Sequence, residues 1–123
     1  AVQKELLGKN QIKGKDYYKI KVTFDQQGGG NDYEDVYLYW IDQKTYKPTY
    51  LAYEFHVNGG GLRFREAYNE RYVEGIRFVD YYNYKPKGEA RITRLDALYE
   101  NGELELLSDI ELENIVVSPG NYN

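Results

Sequence analysis

The chain has no cysteine and no methionine, and only one histidine, one tryptophan and three prolines among 123 residues. Without cysteine, disulfides, thiolate metal sites and cysteine nucleophiles are excluded. The single histidine, His56, excludes a metal centre built on several histidines. No run is apolar enough to span a bilayer as a helix, and the residues given carry no signal-peptide pattern. The net charge is −4 with acids and bases interspersed, so the basic stripe that a nucleic-acid footprint needs is lacking. Both triple-glycine runs lack the Lys-Ser/Thr of a phosphate-binding loop and neither opens a helix. A start at Ala1-Val2-Gln3 without an initiator points to a processed product or a fragment of a longer protein.

What the chain does have is tyrosine: 15, against four phenylalanines. Tyrosine favours strands and offers an apolar body with a polar tip, which suits a sheet with one wet face or a groove. Residues 59–85 are the stretch around which the rest is organised. Aromatic and branched residues alternate there with charged ones, and Val73-Glu74-Gly75-Ile76 has the form of a tight hairpin turn, with Gly75 supplying positive φ. That turn sets Val73 opposite Ile76, Arg71 opposite Phe78 and Asn69 opposite Asp80. Carried further, it sets Phe64 opposite Lys85 and on the other face from Phe78. Both phenylalanines read as core, so the parity conflict predicts a bulge within residues 68–71.

The remaining pattern is strand after strand. Residues 4–12 form a candidate interrupted by Gly8, and 13–16 a turn. Residues 17–24 place Tyr18, Ile20, Val22 and Phe24 on one face and Lys19, Lys21 and Thr23 on the other, as in a half-buried strand. Residues 25–32 are a connection. Residues 33–41 are apolar on both faces, with Val36, Leu38 and Trp40 in one row and Tyr37, Tyr39 and Ile41 in the other. Such a strand is covered on both sides or presents an aromatic face to a ligand. After a turn at 42–45, Pro48 marks a strand over 49–57. Residues 86–92 are a polar loop. Thr93 and Asp96 then resemble a capping box, Leu95, Leu98 and Tyr99 follow at helical spacing, and Asn101-Gly102 ends the helix. Residues 103–117 alternate as one long strand, with Leu104, Leu106, Ile110, Leu112 and Val116 in a single row, and the tail 118–123 frays. The sum is a mainly β domain spanning 1–123. It is a curved, half-barrel-like antiparallel meander of six or seven strands with one short helix near 94–100.

NGGGLRFREAYN, VEGIRFVDYYNYKP and LELLSDIELENIVV, with the short helix between the last two, resemble an uncharacterised DUF6503-type family of Bacteroidetes secreted proteins or lipoproteins. The hairpin pattern is also similar to the half-barrel lipoprotein carriers of the LolA/LolB/LppX kind. The resemblance implies a periplasmic, outer-membrane-associated or secreted protein. It also implies that this chain is the C-terminal part of a longer one, whose N-terminal half would add strands and the helix that plugs the concave face.

No motif carries catalysis on its own. His56 with Glu54 or Glu66 has the makings of a base, but it falls on a polar row beside a glycine loop and reads more simply as a surface residue. Asp25, Asn31, Asp32, Glu34 and Asp35 around Gly28-Gly29-Gly30 are oxygen donors suited to calcium, without EF-hand spacing; the plain reading is a solvated acidic loop. Arg63, Arg65, Arg71 and Arg77, interleaved with Glu66, Glu70 and Asp80, form either an anion site or cross-strand ion pairs. Asp80 shares the row of Ile76, Phe78 and Tyr82, so it needs a buried partner, and an arginine is expected. Glu66 with Asp80 is the one carboxylate pair that suggests a glycosidase-type hydrolase. Trp40 with Tyr37, Tyr39, Tyr53, Tyr81, Tyr82 and Tyr84 either lines a concave surface or is plain aromatic core.

The leading expectation is a non-enzymatic cell-envelope protein that holds an apolar or amphipathic, lipid-like ligand on the concave face of its sheet. The candidate contacts are Trp40, Tyr53, Phe55, Phe64, Phe78 and Tyr82, with Arg63, Arg65, Arg77 and Asp80 toward a polar head. No catalytic residue, metal ligand or cofactor is assigned. The alternatives are a carbohydrate-binding or surface-assembly module using exposed Tyr or Trp, and a structural domain with no ligand. Partners other than the ligand would be the N-terminal half of the same protein or a second copy joined through an edge strand.

Overall fold

The alternation of the sequence is realised as a meander. In the computed structural model, which describes residues 2–24 and 35–118, seven strands lie side by side in chain order, each antiparallel to the next. They are β1 (Val2–Ile12), β2 (Lys15–Phe24), β3 (Asp35–Asp42), β4 (Pro48–Phe55), β5 (Gly61–Val73), β6 (Ile76–Pro86) and β7 (Leu104–Ile110). The sheet is open, with β1 and β7 as its edges. A 3-10 turn over Ile92–Arg94 leads into α1 (Leu95–Glu100), the one α-helix among the described residues. Among the described residues no helix is long and apolar enough to cross a membrane.

The β5–β6 hairpin follows the expected register at its tip, Val73 pairing with Ile76 and Arg71 with Phe78. Glu74 and Gly75 both take positive φ, 52° and 79°, the backbone of a type I′ turn. The bulge stands where the parity of the two phenylalanines demanded it: the register shifts between Tyr68 and Arg71, and Asn69 sits at φ 53°. The shift sets Phe64 opposite Tyr84 rather than Lys85, and Tyr68 rather than Asn69 opposite Asp80. Phe64 and Phe78 thereby share a face.

One face of the sheet is closed by the chain's own helix. Leu95 and Tyr99 of α1 pack with Ile12, Tyr17, Leu38, Trp40, Tyr50, Ala52, Leu62, Phe64 and Leu104 into a single buried cluster. A covering helix was expected from a preceding half of the protein; for this face α1 supplies it. Aromatic contacts knit the cluster, Phe64 lying 5.0 Å from Tyr99 and 5.4 Å from Trp40 between ring centres.

Three expectations are corrected. Lys19 lies on the covered face and is buried, because its ammonium is paired: Nζ donates to Asp96 Oδ2 at 3.1 Å and to the Thr93 carbonyl at 2.6 Å. The apolar row Tyr18, Ile20, Val22 and Phe24 therefore points to the opposite face. The capping box does not form. Arg94 is the N-cap without a side-chain bond, and the Asp96 carboxylate turns into the sheet, where Trp40 Nε1 also donates to it at 3.3 Å. Finally, β7 stops at Ile110 instead of reaching 117. A register shift opposite Asn83 and Tyr84 moves Ile110 to the face away from Leu106. Two residues on, Asp80 and Arg71 take over the Leu112 backbone: its N–H donates to Asp80 Oδ1 at 2.9 Å, and its carbonyl accepts from Arg71 Nη2 at 2.7 Å.

Candidate binding face

Because side chains alternate, covering one face of the sheet leaves the other row of every strand outside. Register fixes that row from β2 to β6. Val22 pairs with Tyr37 and Ile20 with Tyr39. Tyr37 pairs with Tyr53 and Tyr39 with Leu51. Tyr53 pairs with Arg63 and Leu51 with Arg65, and Arg65 in turn with Asn83. The result is a continuous aromatic and aliphatic surface, half-buried by its own neighbours. Among the described residues no helix lies over it, since the helix packs into the cluster on the other face.

The rings on this face are ordered against one another. Tyr37 is near-parallel to Tyr39, with centres 6.4 Å apart and 16° between planes, and lies 5.9 Å from Tyr53. Phe24 meets Tyr37 edge-on at 5.6 Å, and Tyr53 leans toward Phe55 at 6.3 Å. Burial pushes the Tyr39 hydroxyl above the ordinary phenol range, with the neighbouring Tyr37 and Tyr81 hydroxyls adding to the effect. Two guanidiniums lie on the rings: Arg65 over Tyr53 at 5.2 Å and Arg63 over Phe55 at 5.0 Å. Arg65 also donates to the Tyr53 hydroxyl at 3.1 Å and, through Nε, to Asn83 Oδ1 at 3.4 Å. Among the described residues neither arginine has an ion pair; the pairs formed are Lys19–Asp96, Lys47–Glu70, Arg71–Asp80 and Arg77–Glu70. Along these rows the one acid is Asp35, at the start of the β3 row opposite Phe24; Tyr37–Tyr39–Ile41, Leu51–Tyr53–Phe55 and Arg63–Arg65–Ala67 carry none.

Of the residues expected at a ligand site, the structure gathers Tyr53, Phe55, Arg63 and Arg65 here. It places the others elsewhere. Trp40 and Phe64 are fully buried beneath α1. Phe78, Asp80 and Tyr82 lie on the same face as Phe64, Phe78 past the bulge and Asp80 and Tyr82 before it, where Tyr82 stacks on Tyr68 at 4.0 Å. Asp80 has the arginine partner that its row required, Arg71 at 2.9 Å, and also accepts from Asn69 Nδ2 at 2.8 Å. These bonds, led by the Leu112 N–H and the Asn69 amide, hold its carboxyl below the usual range. Arg77 is turned to Glu70 Oε1 at 2.6 Å and to the Pro48 carbonyl at 3.1 Å.

Glu66 is engaged separately from Asp80, accepting from the Tyr99 hydroxyl at 2.7 Å and the Tyr84 hydroxyl at 3.5 Å. Burial and that carboxylate push the Tyr99 phenol far up. His56 is exposed, just past the end of β4. The glycine-rich acidic loop, with Asp25, Asn31, Asp32 and Glu34, lies outside the described residues; Asp35 opens β3. Sequence reasoning missed Tyr18, Ile20, Phe24 and Asn83 as parts of the face. The one signal for them was the double apolar row of β3, whose second side had to meet something other than the core.

No curated protein and no solved structure matched the chain. The model described as "Family of unknown function (DUF6503)" matches residues 2–114, and the chain belongs to that family.

Proposed function

We propose that this is a non-enzymatic binding protein of the cell envelope, and that the sheet face away from α1 holds an apolar or amphipathic, lipid-like ligand. The observation that carries the reading is the row Phe24, Tyr37, Tyr39, Tyr53 and Phe55, left uncovered among the described residues and flanked by two arginines that form no ion pair among them. A contiguous apolar surface of this kind on a soluble sheet marks a place where something else is bound. The face closed by α1 has its rings packed against one another, so the ligand belongs on the other side. The envelope location rests on the family resemblance, and the kinship with periplasmic carriers on the hairpin pattern and architecture.

The test is a titration of isotope-labelled protein with laurate and with octyl glucoside, both below their micelle concentrations, read at the backbone amides. Shifts are expected along Tyr37, Tyr39, Tyr53 and Arg65, with the Trp40 and Phe64 amides moving least. Tyr37→Ser with Tyr53→Ser should weaken binding at least tenfold. Silence at this face overturns the reading. So do equal shifts with octyl glucoside and free glucose, which would instead assign a carbohydrate-binding surface.

A further inference from the structure

At the end of the same face, β4, β5 and β6 border a shallow, open recess of about 310 Å³, with Phe55, Gly61, Arg63 and Lys85 along its sides. The recess is built rather than incidental. Gly61 has no side chain where one would collide: a Cβ there would stand 2.7 Å from Phe55 Cζ. The phenylalanine ring thus lies directly on the glycine, and Arg63 lies on the ring at 5.0 Å. The guanidinium is held in place by one bond to protein, Nη1 to the Leu62 carbonyl at 2.8 Å. A guanidinium has about five N–H donors, so most of its capacity is unspent. Lys85 forms no ion pair among the described residues, although Glu105 stands opposite it in register. Two half-buried cations thus share one recess, one of them fixed by an aromatic ring, and neither is neutralised within ion-pair distance among the described residues.

We infer that this recess takes an oxyanion, the carboxylate or phosphate that ends an amphipathic ligand whose apolar part lies along the Tyr37–Tyr53 row. The inference rests on the binding reading above and adds the head-group chemistry to it. A planar guanidinium beside an ammonium suits either oxyanion, Arg63 binding in a fork and Lys85 as a point charge.

The experiment compares four probes by calorimetry: laurate, monododecyl phosphate, the neutral monolaurin and inorganic phosphate. Each is measured on the wild type, on Arg63→Gln/Lys85→Gln and on Lys44→Gln as a charge control. Buried Trp40 fluorescence verifies that the variants keep the fold. The anionic amphiphiles are expected to bind at least tenfold more tightly than monolaurin. The double variant should lose that advantage while its monolaurin affinity stays unchanged, and Lys44→Gln should behave as wild type. If all three amphiphiles bind alike and the double variant matches the wild type, the head-group site is overturned while the apolar face stands. If no amphiphile binds but inorganic phosphate does, and that binding needs Arg63 and Lys85, the site stands as one for a free anion and the lipid reading falls. If nothing binds, both fall.

Discussion

Lys19 shows how much one buried charge can hold together. Its ammonium reaches the Asp96 carboxylate and the Thr93 carbonyl and lies 5.6 Å from the Trp40 ring. It therefore ties the short helix to the centre of the sheet. Replacing one member of such a pair strands the other in a dry site. Lys19→Met should lower the unfolding free energy by about 3–5 kcal/mol, read from urea denaturation, whereas Lys19→Met/Asp96→Leu should recover most of the loss. A double variant as unstable as the single one would mean that the helix is held by its apolar contacts alone. Asp80 gives a pH signature instead. Its folded carboxyl titrates below the ordinary value because the Leu112 N–H and Asn69 amide favour the charged form. Its contribution is thus complete above the unfolded value of about 4 and is lost as pH falls through the lower folded value. Asp80→Asn should flatten the stability profile below about pH 4 and leave its slope near neutrality unchanged. An unaltered acid limb would place that acid sensitivity in other carboxylates.

At the level of elements, the β5–β6 hairpin was the most legible part of the chain. Two phenylalanines that both read as core, set at the wrong parity, locate the bulge from the sequence alone, although Phe78 is only half-buried and lies outside the central cluster. Glu74 is the exception inside it, a β-carbon-bearing residue of poor turn character at φ 52°. Glu74→Asn should stabilise the protein by up to about 1 kcal/mol, measured as a raised urea midpoint, since asparagine tolerates the left-handed region. No gain would mean that the Glu74 side chain compensates for its backbone strain. Elsewhere, alternation told which residues share a face but not which face is covered. Lys19 looked like a solvent residue because its sequence pattern does not contain its partner 77 positions away. The leucine–glutamate alternation runs on past Ile110, yet the strand stops there because Asp80 and Arg71 bind the Leu112 backbone. Such side-chain contacts between distant segments leave no local trace. The same limit hid the candidate face: Tyr53 and Arg63 were individually visible, but their meeting on a face that α1 leaves open depended on where a six-residue helix would dock.

For the whole molecule, an open sheet closed on one side makes a definite prediction about where stability resides. The central strands are held by the ladder on both flanks and by the cluster under α1, and Leu38, Trp40, Ala52 and Phe64 are fully buried. β1 has a ladder on one flank, and Val2, Leu6 and Leu7 on it are exposed. Local opening follows buried apolar contact, so native-state hydrogen exchange should be graded across the sheet. The amides of Leu38, Trp40, Ala52 and Phe64 should exchange only through global unfolding, and those of β1 and β7 at least a hundredfold faster. An amphiphile bound as proposed would touch β3, β4 and β5, so on that reading laurate should raise protection there while leaving the outer strands as they were. Protection of β1 equal to that of β4 would contradict this gradient. If it also rose with protein concentration, it would mean that the free edge is paired with a second copy of the chain, the fate to which an uncovered strand is prone.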